Sequence, residues 1–280
     1  MFETILVPVD GSDWSRQALA HACAIGRRGD GGAVLHGLYV VDVSRVAVAY
    51  GAAGVETQEM QALSEMAALR DEYRRQGRAI LEEFARRVEA ESLTARTELA
   101  EGEAGRVICE RAGLADLVVL GRHGSGGAVE RLIFGSTFEA VVRHSPRPVL
   151  VAVGDPRPIR RVLVAYDGSD RAMDALEVAA RMAREWGVAV TALAVVESDR
   201  VRASTLADAL TYLKEHGVEV DSALLQDERP AAAICRVAQE KEADLVVMGG
   251  YGHSRFLEVF FGHTVDEVMR SMTRPVLVCR

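Results

Sequence analysis

Two glycine-rich stretches hold the residues whose spacing could do chemistry. Gly121-Arg122-His123-Gly124 leads to Gly135-Ser136-Thr137, and Gly249-Gly250-Tyr251-Gly252 leads to Gly262-His263-Thr264. Each follows a short apolar run, Leu117–Leu120 or Leu245–Met248, and each precedes an amphipathic segment that closes on Arg-Pro-Val-Leu-Val. The pattern reads as a buried strand, a glycine loop, a helix and a last strand. Such a loop lets backbone N–H groups approach an anion, and the helix N-terminus behind it adds its own N–H groups and the positive end of its dipole. The chemistry implied is phosphate binding by backbone. Lys214 and Lys241 are the only lysines, and neither lies in a loop. That excludes a P-loop of the G-x-x-x-x-G-K-[ST] kind.

The remaining polar candidates cluster near these loops. Asp10-Gly11-Ser12-Asp13 and Asp167-Gly168-Ser169-Asp170 end the first strand pattern of each half of the chain. Their aspartates suit ligand contact and helix N-capping alike. A catalytic histidine needs an orienting partner and a nucleophile. Neither can be assigned to His123 or His253, which read as loop histidines that at most touch phosphate. Ser12, Ser136 and Ser169 stand in no G-x-S-x-G elbow. No metal-ligating cluster is expected from the protein, so any Mg²⁺ would arrive on a ligand's phosphates. Arg122 and Arg131 near the first loop, and Arg255 near the second, suit phosphate neutralisation or simple solvent exposure.

The elements that must position these residues occur twice. Asp10 and Asp167 are 157 residues apart and Val41 and Val196 are 155 apart, but Cys109 and Cys235 are 126 apart and Pro148 and Pro275 are 127 apart. The first copy therefore holds about 29 extra residues, nearly all between its second strand and third helix. A period this long means a duplicated domain, not a solenoid. The expected organisation is a domain over 1–153 with an insertion at about 42–70, a Pro-containing linker over 154–160, and a second domain over 161–280. The insertion reads as a long loop followed by a helix over about 57–90. Its stripe of Met60, Leu63, Met66, Ala67, Tyr73, Ile80, Leu81, Phe84 and Val88 suits packing on a sheet better than a coiled coil.

Composition narrows the function. The 280 residues carry a net charge of −8, which argues against a general nucleic-acid binder. No apolar run approaches the ~18 residues of a membrane helix, and no signal-peptide pattern opens the chain. Cys23, Cys109, Cys235 and Cys279 form no C-x-x-C pair and read as buried free thiols. A cytoplasmic location is expected. Strands alternating with helices imply an α/β fold: two duplicated open, mostly parallel five-stranded sheets with helices on both faces. Such sheets bind ligands beyond the strands' carboxyl ends, where strand order reverses. Should the first and fourth strands be neighbours there, the aspartates and glycines line one crevice.

Asp-Gly-Ser after the first strand, Gly-x-x-Gly-(nine)-Gly-[Ser/Thr] after the fourth, and the closing Arg-Pro-Val-Leu-Val together resemble the universal stress proteins, over essentially the whole chain and twice. The resemblance implies the adenine nucleotide alpha hydrolase-like fold with strand order 3-2-1-4-5, and binding of ATP. It places Asp10, Val41, Gly121, Arg122, Gly124, Gly135, Ser136 and Thr137 in a first nucleotide site. Asp167, Val196, Gly249, Gly252, His253, Gly262, His263 and Thr264 form the second. The aspartates meet the adenosine side, the backbone at Val41 and Val196 faces adenine, and the glycines hold phosphate. The implied role is a nucleotide-dependent stress-response sensor or scaffold, with at most slow ATP hydrolysis. The alternatives are an adenine-nucleotide-hydrolysing or adenylyl-transferring enzyme of the same α/β group, and a scaffold with degenerate sites. Strand five would pair the two domains within a chain, and two chains would form a homodimer.

The two copies depart from the pattern differently. Ten residues, not nine, separate Gly124 from Gly135, with Gly126-Gly127 available to absorb the extra one, whereas the second copy keeps nine but has His263 in place of a hydroxyl residue, with Thr264 next. Because most phosphate contacts come from backbone N–H groups, correct spacing favours the second site. A calorimetric titration with ATP and Mg²⁺ is expected to need two distinct dissociation constants; two identical constants would contradict this inequality.

Overall fold

The computed structural model describes residues 1–29, 32–42, 59–124, 134–196, 203–226, 228–250 and 263–280. They form two compact units, Phe2–Ser145 and Pro146–Arg280, with Met1 grouped with the latter.

In the first unit, β1 (Thr4–Pro8), α1 (Asp13–Gly26), β2 (Val34–Asp42), α2 (Glu59–Ala90), β3 (Thr94–Gly102), α3 (Ala104–Ala112), β4 (Leu117–Gly121) and α4 (Ser136–His144) follow in turn. The sheet order is β3-β2-β1-β4, and the β1–β2, β2–β3 and β1–β4 pairs are parallel. Ile5, Leu6 and Val7 of β1 and Leu117, Val118 and Val119 of β4 are completely buried. Near-continuous apolar runs of this kind suit parallel strands covered on both faces. Pro8 ends β1, where its missing donor interrupts least.

In the second unit come β5 (Val149–Ala152), β6 (Arg161–Ala165), α5 (Asp170–Trp186), β7 (Ala189–Val196), α6 (Ala203–Glu215), β8 (Val220–Gln226), α7 (Pro230–Glu240), β9 (Leu245–Gly249), α8 (His263–Ser271) and β10 (Val276–Cys279). The order β8-β7-β6-β9-β10 is the 3-2-1-4-5 order in full, with parallel pairs throughout. In the repeat β5 is the last strand of the first copy, yet it lies in this unit. The reason is its antiparallel ladder with β10, which aligns Val151 with Val276 and Val149 with Val278.

A carboxylate clamp recurs at the opposite end of each sheet from the glycine loops. Asp116 Oδ2 accepts the N–H groups of Glu3 and Thr4 at 2.9 and 3.0 Å, and Asp244 Oδ2 accepts those of Arg160 and Arg161 at 2.8 and 2.9 Å. Each ties the entry of the first strand to that of the fourth. All four cysteines are free thiols, with Cys23 and Cys279 buried and Cys109 and Cys235 partly so. Among the described residues no helix is long and apolar enough to cross a membrane.

The insertion takes shape as α2, 32 residues long against 13 for its counterpart α6. Residues 43–58 lie outside the described residues. The second half of α2 packs on the sheet, with Leu81, Phe84 and Val88 buried. Glycines on both elements make room for facing rings. A methyl group at Gly37 of β2 would lie 2.6 Å from the Phe84 ring, and one at Gly77 of α2 would lie 2.5 Å from the Tyr39 ring. The helix is thereby keyed to β2 in one register.

Candidate functional site

β1 is flanked by β2 on one side and β4 on the other, so the strand order reverses at β1. Beyond its carboxyl end the chain turns through Asp10-Gly11-Ser12. Asp10 Oδ1 accepts the Ser12 N–H at 2.9 Å, Gly11 adopts a left-handed φ of 78°, and Ser12 Oγ accepts the Ser15 N–H at 3.1 Å. The second unit repeats the turn: Asp167 Oδ1 accepts the Ser169 N–H at 3.0 Å, Gly168 has φ 82°, and Ser169 Oγ accepts the Ala172 N–H at 3.2 Å. Helix capping thus falls to the serines. The aspartates brace the turn and are held at the strand ends by it.

β4 and β9 each end on a glycine that only glycine can occupy. A methyl at Gly121 would lie 2.5 Å from the carbonyl oxygen of Trp14, and one at Gly249 would lie 2.7 Å from the carbonyl carbon of Arg171. The loop after the fourth strand is therefore pressed onto the first turn of the helix that follows the aspartate. Three residues further, a methyl at Gly124 would lie 3.2 Å from Asp10 Oδ2. The aspartate and the glycine loop of the first unit share one crevice, as the fold requires.

Aromatic contacts bring in the start of α4. Trp14 meets His123 edge-on at 5.0 Å, His123 stacks with Phe134 at 6.2 Å, and Phe134 stacks with Phe138 at 4.7 Å. This row links the first turn of α1, the glycine loop and the entry to α4. His123 is a packing residue within it. Arg122 beside it is half-buried, and burial pushes its guanidinium pKa down.

Gly135 is the N-cap of α4, with φ −66° and ψ 149°, and among the described residues no side chain caps this helix. Ser12, Glu103 and Ser169 cap α1, α3 and α5 with side-chain oxygens. α7 also lacks a side-chain cap, but it opens with Pro230, which has no N–H to satisfy. At α4, Ser136 is exposed, Thr137 is partly so, and a methyl at Gly135 would meet none of the described residues within 4 Å. The first turn of α4 thus has N–H groups and a positive dipole end that no described side chain caps.

Val41 and Val196 end β2 and β7 at the same end of their sheets. Val41 is buried, and it pairs with Glu101 across the β2–β3 ladder. Asp167, Val196, Gly249 and Thr264 of the second site are described, and His263 opens α8. Gly252, His253 and Gly262 lie outside the described residues, as do Arg131, Arg255 and the pair Gly126-Gly127. Sequence reasoning missed Trp14, Phe134 and Phe138. Their signal is only that an aromatic residue follows Asp13 and two more flank Gly135.

A doubly wound α/β unit that occurs twice, with a braced aspartate and a glycine loop at the strand-order reversal, defines the class of protein. Residues 1–152 and again 158–280 match the universal stress protein family, and the chain belongs to that family. It is 28% identical over 167 residues to a universal stress protein of Synechocystis, covering 59% of this chain and 58% of that protein, which is under two thirds of the relative's own length. It is 35% identical over 153 residues to one from Methanocaldococcus jannaschii, covering 54% of this chain and 82% of that protein. The crystal structure of a universal stress protein from Archaeoglobus fulgidus shares the fold, with a TM-score of 0.76, 22% identity, and coverage of 99% of this chain and 96% of that one.

The glycines divide into packing and crevice positions. Without any ligand, Gly121→Ala and Gly249→Ala are expected to lower unfolding stability by roughly 1–3 kcal/mol in urea titrations, the usual range for overpacking. Gly124→Ala is expected to change it by less than about 0.5 kcal/mol. Equal losses at all three positions would contradict the division.

Proposed function

We propose that the chain binds ATP or a related adenine nucleotide and acts as a nucleotide-dependent stress-response sensor or scaffold. The observation that carries this reading is the first turn of α4: no described side chain caps it, and the aromatic row ties it to the crevice where Gly124 approaches Asp10. A helix N-terminus in that state is suited to phosphate. The backbone N–H groups at Ser136 and Thr137, with the loop from Gly121 to Gly124, would hold the phosphates, and Asp10 would meet the adenosine side. The base would lie against the backbone at Val41. Asp167, Val196, Gly249 and Thr264 would serve the second site in the same way, with Gly252, His253, Gly262 and His263. Mg²⁺ would come with the phosphates.

Binding rather than rapid turnover is the favoured role, because the histidine of the first loop is engaged in aromatic packing with Trp14 and Phe134. A homodimer and a cytoplasmic location belong to the same proposal. The test is to purify the full chain without added nucleotide, denature it and identify what is released. ATP or AMP at near one per unit is the expected result. No released nucleotide, together with no calorimetric binding of ATP and Mg²⁺, would overturn the proposal. Turnover well above ~1 per second, the low end of typical enzymes, would move the chain to the enzyme class.

A further inference from the structure

The helix after the second strand supports the aspartate turn in both units, but it reaches that turn at different points along its length. A methyl at Gly11 would lie 2.8 Å from Ile80 Cδ1 of α2, and one at Gly168 would lie 3.2 Å from Thr205 Cγ2 of α6. Ile80 and Thr205 therefore mark the same level in the two folds. Twenty-one residues of α2 precede Ile80, whereas two residues of α6 precede Thr205. At 1.5 Å per residue, the difference of 19 residues carries α2 about 28 Å further past the turn than α6. This extension rises on the ligand side of the sheet, next to the carboxyl ends of β2 and β3.

The extension is held at its base. Glu101, level with Val41 across the β2–β3 ladder, accepts Arg70 Nη2 at 2.8 Å and Arg74 Nε at 2.7 Å. Hydrogen bonds from Arg74, then from Arg70, hold its carboxyl pKa below the usual range. Between these arginines stands Tyr73, only partly exposed. Gly77, one turn below, lies against the Tyr39 ring, so Tyr73 sits one turn further along, beside the level of Val41. Helical side chains lean toward the helix N-terminus. From that level the lean is toward the carboxyl end of β2, which closes on Asp42.

We propose that the extension of α2 walls the base side of the first unit's site, with the Tyr73 ring as its contact to the base and Glu101 as the residue that positions it. The first site then releases its ligand more slowly than the second, where α6 starts only two residues before Thr205. This rests on the adenine-nucleotide site proposed above, and it names a specificity-determining residue for one of the two sites. Position along α2 carries it, since the counterpart of Tyr73 would precede the start of α6.

The test uses the full chain loaded with N-methylanthraniloyl-ATP and Mg²⁺, chased with excess ATP in a stopped-flow fluorimeter. Two release phases are expected. Tyr73→Ala should speed the slower phase by about tenfold, within the range of a lost base–aromatic stack, and leave the faster one unchanged. Tyr73→Phe should retain the slow phase, because a ring and not a hydroxyl makes the contact. Glu101→Gln removes the charge that grips Arg70 and Arg74 without touching the core, and should speed the same phase by about threefold. Binding at both sites with one common release rate would overturn the proposal, as would equal effects of Tyr73→Ala on both phases. A chain that takes up no labelled nucleotide would overturn the nucleotide site itself, a result distinct from either of these.

Discussion

The contact on which the rest of the structure depends is the seating of the fourth-strand glycine on the first turn of the helix after the aspartate. At Gly121 and Gly249 there is no room for a side-chain carbon. In the first unit that contact leads the chain across the end of the first strand, where Gly124 approaches Asp10. There it meets a turn already fixed by its own aspartate, by a glycine at positive φ and by a serine cap. Backbone packing therefore assembles the crevice before any ligand is considered. A site built this way is preorganised, so binding need not order the loop at this point. The same glycine does not have to touch the ligand to be indispensable to it.

Duplication supplied two copies of this arrangement, and their surroundings have diverged. In the first unit, Trp14, His123, Phe134 and Phe138 bind the loop to the entry of α4 by ring packing. In the second, Arg171 occupies the position of Trp14, its backbone keeping the seat for Gly249 while the ring is gone. The helix after the second strand is short in one unit and extended in the other, where Ile80, Phe84 and the paired glycines key it to the sheet. One fold thus carries two crevices with the same floor and different walls.

Much of this was legible in the sequence because it is written in local patterns. Continuous apolar runs mark strands buried on both faces, and the recurrence of Asp-Gly-Ser and of the glycine loops at matched offsets marks the duplication. The nearness of Asp10 to the loop that holds Gly124 follows from the same local patterns. What escaped depends on contacts distant in the chain. Nothing local distinguishes Gly121, which packs on Trp14, from Gly124, which approaches Asp10. The aspartates at 116 and 244 lie inside apolar runs and show their clamping role only when the strand entries meet. The serine caps and the missing cap on α4 are questions of which oxygen reaches which N–H, and the crowded Asp-Gly-Ser-Asp turn left that choice open. The reach of α2 past the turn follows from where Ile80 meets Gly11, a contact between residues 69 positions apart.

In the proposed site, backbone N–H groups at the start of α4, next to the Asp10 crevice, receive the phosphates. The most direct measurement is an amide ¹H–¹⁵N NMR titration of the full chain with ATP and Mg²⁺. In the first unit the largest shifts are expected at Gly124, Ser136 and Thr137, with smaller ones at Gly11 and Val41. Saturating shifts confined to other surfaces, with Ser136 and Thr137 unmoved, would contradict it.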